Sequence, residues 1–106
     1  MSSLSLSARR ENGTAVLSLD GELDLATVPA LRDTALAELG EPGTATLVLD
    51  LARLTFLDST GIGCWIELRN HAEGAGKELA LRAVPAAARR TVTIAGLAPV
   101  FGIDAS

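Results

Sequence analysis

Ten consecutive residues, Leu54-Thr55-Phe56-Leu57-Asp58-Ser59-Thr60-Gly61-Ile62-Gly63, hold the densest set of groups able to do chemistry. They place one carboxylate and two hydroxyls where a loop is expected to become a helix. Two chemistries are open. Asp58 or Ser59 can cap the helix by accepting from its orphan first-turn N–H groups. Ser59, with Thr60 as second choice, can instead accept a phosphoryl group. A phosphate there would meet free N–H groups and the positive end of the helix dipole, so it could be added without unfolding the domain. It would bring about −1.5 to −2 charges, which Asp58 and the net charge of −4 would oppose. Gly61 and Gly63 each cost a helix roughly 0.5–1 kcal/mol against alanine. Either close packing of the helix start or room for a partner offsets that cost.

Enzymatic readings of the same residues are weak. Gly61-x-Gly63 lacks the third glycine of a dinucleotide fingerprint, since Ile66 stands there. No Walker A loop is present. Ser59 is not in a G-x-S-x-G elbow, because Leu57 precedes it by two. A triad with His71 would need that side chain to reach back about three turns along one helix. A phospho-acceptor role for Asp58 of the receiver type would need an acidic cluster, Mg²⁺ and a lysine near the last strand. Cys64 falls on the expected core face and reads as a small hydrophobe.

The elements that position this segment are those of one α/β domain over residues 1–106. Leu4, Leu6 and Ala8 alternate with polar residues as a first strand. Asn12-Gly13 is a hairpin signal, and Ala15 to Leu19 form an antiparallel second strand. Gly21 to Asp24 are expected to leave that strand in a loop. Thr27 can cap a helix with Pro29 in its first turn, and Val28, Leu31, Ala35 and Leu39 follow at helical spacing up to Gly40. Thr46 to Leu51 read as a buried central strand. A second helix runs from about Ser59 to Ala75. Its core face is Gly61, Cys64, Trp65, Leu68 and Ala72; Ile62 and Ile66 lie on another face, either as an apolar partner contact or as the edge of a wide buried stripe. Glu78 to Val84 form a strand, Pro85 opens a third helix to about Ala95, and Val100 to Ile103 are expected as a last short strand. The order is β-β-α-β-α-β-α-β, a mixed sheet with helices mainly on one face.

Composition narrows the partners. The chain has 106 residues, 48% hydrophobic but only 3% aromatic, so its core must be aliphatic. A mean hydropathy of +0.33 argues against disorder. The acidic balance, with Lys77 the only lysine, disfavours nucleic acid and anionic membranes. One cysteine and one histidine exclude an internal disulfide and any multi-thiolate or multi-histidine metal site. No cofactor is implied. The absence of a membrane span and of a signal-peptide pattern makes the cytoplasm the default location.

Three segments resemble the STAS domain, specifically the bacterial anti-sigma factor antagonists. They are Asp20-Gly21-Glu22-Leu23-Asp24, the Leu54 to Gly63 segment, and, more weakly, Pro85-Ala86-Ala87-Ala88-Arg89-Arg90 running into Ala95-Gly96-Leu97. The resemblance covers nearly the whole chain and implies a switch, not an enzyme. The unphosphorylated protein would bind an anti-sigma factor that is also a serine kinase, freeing a sigma factor. Phosphorylation at Ser59 would end that binding, and a serine phosphatase would reverse it. By the same resemblance Asp24, Asp58, Ser59, Thr60, Gly61, Ile62 and Leu97 belong to the docking surface. Asp24 reads equally as a turn or capping residue. Two alternatives are a STAS subunit of a transporter or sensory complex, and a nucleotide-binding protein using Gly61-Ile62-Gly63 as a phosphate nest. The family usually continues into a further amphipathic helix, while this chain stops at Gly102-Ile103-Asp104-Ala105-Ser106. A barely covered edge at Val100 to Ile103 would then favour weak homodimers.

Overall fold

The Asn-Gly turn starts the fold. In the computed structural model, which describes residues 2–103, Asn12 and Gly13 adopt φ of 49° and 84°. That is the left-handed pair a two-residue hairpin needs. It joins β1 (Leu4–Glu11) to β2 (Thr14–Leu23) in antiparallel register. α1 (Val28–Leu39) then leads to β3 (Thr46–Leu57), α2 (Ser59–Gly74) to β4 (Glu78–Arg82), and α3 (Ala86–Ile94) to a 3₁₀ turn at Ala98–Phe101.

The sheet order is β1-β2-β3-β4, with β2, β3 and β4 parallel. Both parallel crossovers therefore advance in the same direction. Right-handed connections then place α1 and α2 on the same face. That face carries Ala15, Leu17 and Leu19 of β2 and Leu47, Leu49 and Leu51 of β3, all buried, against Leu31, Ala35, Trp65 and Leu68. Lys77 fastens the layer, its Nζ donating to the carbonyls of Leu39 and Glu41 at the end of α1. Arg32 of α1 forks onto Glu67 of α2 at 3.1–3.2 Å.

Three expectations need correction. β2 does not end before Gly21; it runs to Leu23, with ladder irregularities at Ser18/Asp20 and Gly21/Glu22. Gly21 has φ of 127°, and a Cβ there would lie 2.3 Å from the Ser3 carbonyl oxygen, so the strand continues only because this residue is glycine. β3 is central, but its aliphatic run is buried on one face only; Val48 and Asp50 are half-buried on the open face. Val100 to Ile103 do not form a strand. Val100 and Phe101 belong to the 3₁₀ turn, and Ile103 N–H donates to the Ala98 carbonyl at 2.9 Å. Self-association through a strand edge there has no strand to carry it. Asp104 to Ser106 lie outside the described residues.

Candidate functional site

β2 and β3 run parallel, so their carboxyl ends deliver Asp24 and Asp58 to the same edge of the domain. Asp58 N–H donates to the Leu23 carbonyl at 3.4 Å, joining the two segments directly. Both carboxylates are occupied in holding backbone. Asp58, extended at φ −117° and ψ −176°, caps α2 by accepting from Gly61 N–H at 3.1 Å. Its carbonyl accepts from Ile62 N–H at 3.2 Å. The capping role expected at this position thus falls to Asp58 and leaves Ser59 unengaged.

Asp24 anchors the turn into α1. Its Oδ1 accepts from Ala26 N–H at 3.0 Å, and its carbonyl accepts from Thr27 N–H and Val28 N–H. A hydrogen bond from the Ser2 hydroxyl, then the backbone donors, hold the Asp24 carboxyl below its ordinary range. Thr27, expected as a side-chain cap, precedes the helix but works elsewhere: its Oγ1 accepts from Asp24 N–H and donates to the Glu22 carbonyl at 2.8 Å.

Ser59 is the first residue of α2 and is exposed; Thr60 is half-buried. Of the two hydroxyls, Ser59 is the one open to solvent. Two of the first-turn donors, Gly61 N–H and Ile62 N–H, are taken by Asp58. The N–H groups of Ser59 and Thr60 remain beside the acceptor, where the helix dipole favours added negative charge.

The two glycines divide between their two explanations. A Cβ on Gly61 would lie 2.7 Å from Leu57 Cδ1 and 2.9 Å from Leu23 Cγ, so close packing of the helix start requires glycine. A Cβ on Gly63 would meet nothing within 4 Å. Gly63→Ala should therefore raise the unfolding free energy by about 0.5–1 kcal/mol. Gly61→Ala should lower it, because overpacking costs about 1–3 kcal/mol against the same propensity gain. Urea midpoints moving in opposite directions would check this.

Ile62 does not face solvent. It is 3% exposed, and Ile66 is half-buried, so the wide buried stripe is correct and an Ile62-Ile66 surface patch is not formed. α2 buries this wider arc because β3 ends beneath its first turn, where Leu57 and Leu23 pack against Gly61. Leu97 is half-buried beyond α3, donating its N–H to the Val92 carbonyl; no hydrogen bond brings it to Ser59. Leu25 was not anticipated. It is 76% exposed in the Asp24 turn. The Asp24-x-x-Thr27 spacing signals such a turn. Phe56, near the end of β3, is 49% exposed.

Cys64 is buried, and that burial pushes its thiol up to about 11. A raised folded pKa contributes stability at lower pH that is lost as pH rises from the unfolded thiol value, about 8.5, through that figure. A thiol reagent at pH 8 should label native protein more than about tenfold slower than unfolded protein.

A family profile described as "Mlab, STAS domain" matches residues 6–101. The anti-sigma-F factor antagonist RsfB of Mycobacterium tuberculosis is 40% identical over 60 residues, 57% of this chain and 48% of that protein. The chain therefore matches about half the length of that relative. A crystal structure of an anti-sigma factor antagonist from Mycobacterium paratuberculosis is similar at TM-score 0.83 and 27% identity, covering 98% of this chain and 87% of that one. The phosphorylated form of the Bacillus cell fate determinant SpoIIAA is similar at TM-score 0.70 and 25% identity, covering 92% and 86%.

Proposed function

The chain belongs to the STAS domain family, and on that premise we propose that it is an anti-sigma factor antagonist switched by phosphorylation of Ser59. Unphosphorylated, it binds an anti-sigma factor that is also a serine kinase, and a sigma factor is released. Phosphorylated, it lets go, and a serine phosphatase resets it. The whole chain acts as one STAS domain, in the cytoplasm.

The carrying observation is the division of labour between neighbours. Asp58 caps α2, so the exposed hydroxyl of Ser59 is free for chemistry beside two uncommitted backbone donors. Asp24 shapes the adjoining turn, which presents Leu25 to a partner. Gly63 leaves the surface one turn above Ser59 open to close approach. Ile62 serves from below, as packing under the helix start. A nucleotide nest at Gly61-Ile62-Gly63 is disfavoured, because Gly61 is buried and its N–H already belongs to Asp58.

Incubation with ATP and candidate anti-sigma kinases, followed by intact mass, tests the assignment. One addition of about 80 Da is expected on wild type and Thr60→Ala, and none on Ser59→Ala. A full shift on Ser59→Ala would sink the Ser59 assignment.

A further inference from the structure

β1 is an edge strand of eight residues, and its free side has a definite hydrogen-bonding pattern. A two-residue hairpin makes Glu11 and Thr14 a hydrogen-bonded pair, and such pairs then alternate along the ladder. Arg9↔Val16, Ser7↔Ser18 and Ser5↔Asp20 are therefore the bonded pairs. The same alternation continues past the strand, where Glu22 N–H donates to the Ser3 carbonyl at 2.9 Å. The odd residues of β1 thus spend their backbone groups on β2. Leu4, Leu6, Ala8 and Arg10 point theirs away from the sheet.

We propose that this edge pairs with β1 of a second copy of this chain, antiparallel about a two-fold axis through Ser7. An antiparallel register must bring outward-facing residues opposite one another. Only the register Leu4↔Arg10, Leu6↔Ala8 uses all four of them on both chains. It also separates the charges. Arg10 lies opposite Leu4, Arg9 lies opposite Ser5, and Ser7 meets its own copy. A slip of four residues in pairing sum toward the hairpin would set Arg9 against Arg9 and lose half the hydrogen-bonded pairs.

Edge strands are commonly protected by charge, but here Arg10 is engaged within its own chain. Arg10 bonds Glu38, with Nε to Oε2 at 3.1 Å, and lies 3.6 Å from Glu41. Arg9 is close enough to Asp50 to help hold its carboxyl low, after the hydrogen bonds from Arg82 and Ala52. Leu4 and Leu6 are only half-buried in one copy, and the partner's Ala8 and Leu6 would cover them. The result is a continuous eight-stranded sheet with the two Ser59 surfaces at opposite ends. Both remain open to a partner.

Sedimentation equilibrium from about 10 µM to about 1 mM tests this, the weak range expected for one strand pair. The weight-average mass should climb with concentration from 10.9 kDa toward twice that value. Ala8→Pro removes an N–H that β2 does not use, so the monomer should fold and the mass should stay at one chain. Ala8→Lys, which leaves the backbone intact, should do the same. Ser7→Cys places two thiols on the axis at a non-hydrogen-bonded pair, about 4.5 Å between Cα atoms, within disulfide reach. Under mild oxidant it should crosslink at least tenfold faster than Ser5→Cys. A wild-type mass fixed at one chain up to 1 mM overturns the proposal. So does a dimer that survives Ala8→Lys, or one in which Ser5→Cys crosslinks as fast as Ser7→Cys.

Discussion

Trp65→Ala lowers the unfolding free energy by about 3–5 kcal/mol, the range for deleting a buried aromatic. Trp65 is fully buried, the largest side chain in a core otherwise built mainly from leucine, valine and alanine, with Ile62 and Cys64. It also holds the carboxyl-terminal end of the described chain, since its ring meets Phe101 edge-to-face at 6.1 Å and 80°. Such a pair adds about 0.5–1.5 kcal/mol beyond area. A domain of this size has only about 5–15 kcal/mol in all, so the variant should unfold well below the wild-type urea midpoint when followed by circular dichroism. Trp65→Phe should cost clearly less. It keeps an aromatic ring and most of the volume, and it removes an indole N–H that has no acceptor among the described residues. Equal losses for the two variants would overturn this ranking, since a retained aromatic ring would then contribute nothing to stability.

The ends of the elements divide into those that local chemistry announces and those that packing decides. Asn12-Gly13 needs no tertiary help to turn the chain, and its φ values are what those residues adopt most cheaply. Val28, Leu31, Ala35 and Leu39 recur at helical spacing, and all four are buried. Asp58 was legible as a cap because an Asp before a helix can hardly do better. Gly21 was not legible as strand. A glycine-containing segment after a strand ordinarily reads as a loop, and only the approach of the Ser3 carbonyl explains why a glycine continues the ladder. Val100 to Ile103 depart from the expected strand because a short apolar run has no period of its own. The contact of Phe101 with Trp65 is tertiary, and it draws the segment into a 3₁₀ turn. Ile62 shows the same limit inside a helix. The helical wheel gives the angle between Ile62 and Gly61, but the width of the buried arc depends on Leu23 and Leu57 lying beneath the first turn.

Phosphorylation of Ser59 should weaken binding to a cognate anti-sigma factor about a hundredfold, which is ~3 kcal/mol, while leaving the fold in place. The two halves of that expectation come from opposite sides of one residue. Toward its own chain, the phosphate finds the uncommitted N–H groups of Ser59 and Thr60 and the helix dipole, together worth about 0.3–1 kcal/mol in its favour. Asp58, already bonded to Gly61 N–H, and Asp24, close by across the Leu23 contact, offset part of that gain. The unfolding temperature should therefore move by no more than a few degrees. Toward a partner, about −1.5 to −2 charges enter a surface that docking would dehydrate, and no compensation is available there. Salt dependence separates charge from bulk. Exposed Coulombic repulsion is screened within about 3 Å at 1 M salt, against about 8 Å at 0.15 M. The phosphorylation penalty should shrink several-fold between these two concentrations if charge carries it. Ser59→Glu should show a smaller loss with the same salt trend, and Ser59→Ala should bind as wild type does. Titrations in which the phosphorylated protein binds as tightly as the unmodified one would remove the switch; a penalty indifferent to salt would assign it to desolvation or steric exclusion of the added phosphate instead of to exposed charge repulsion.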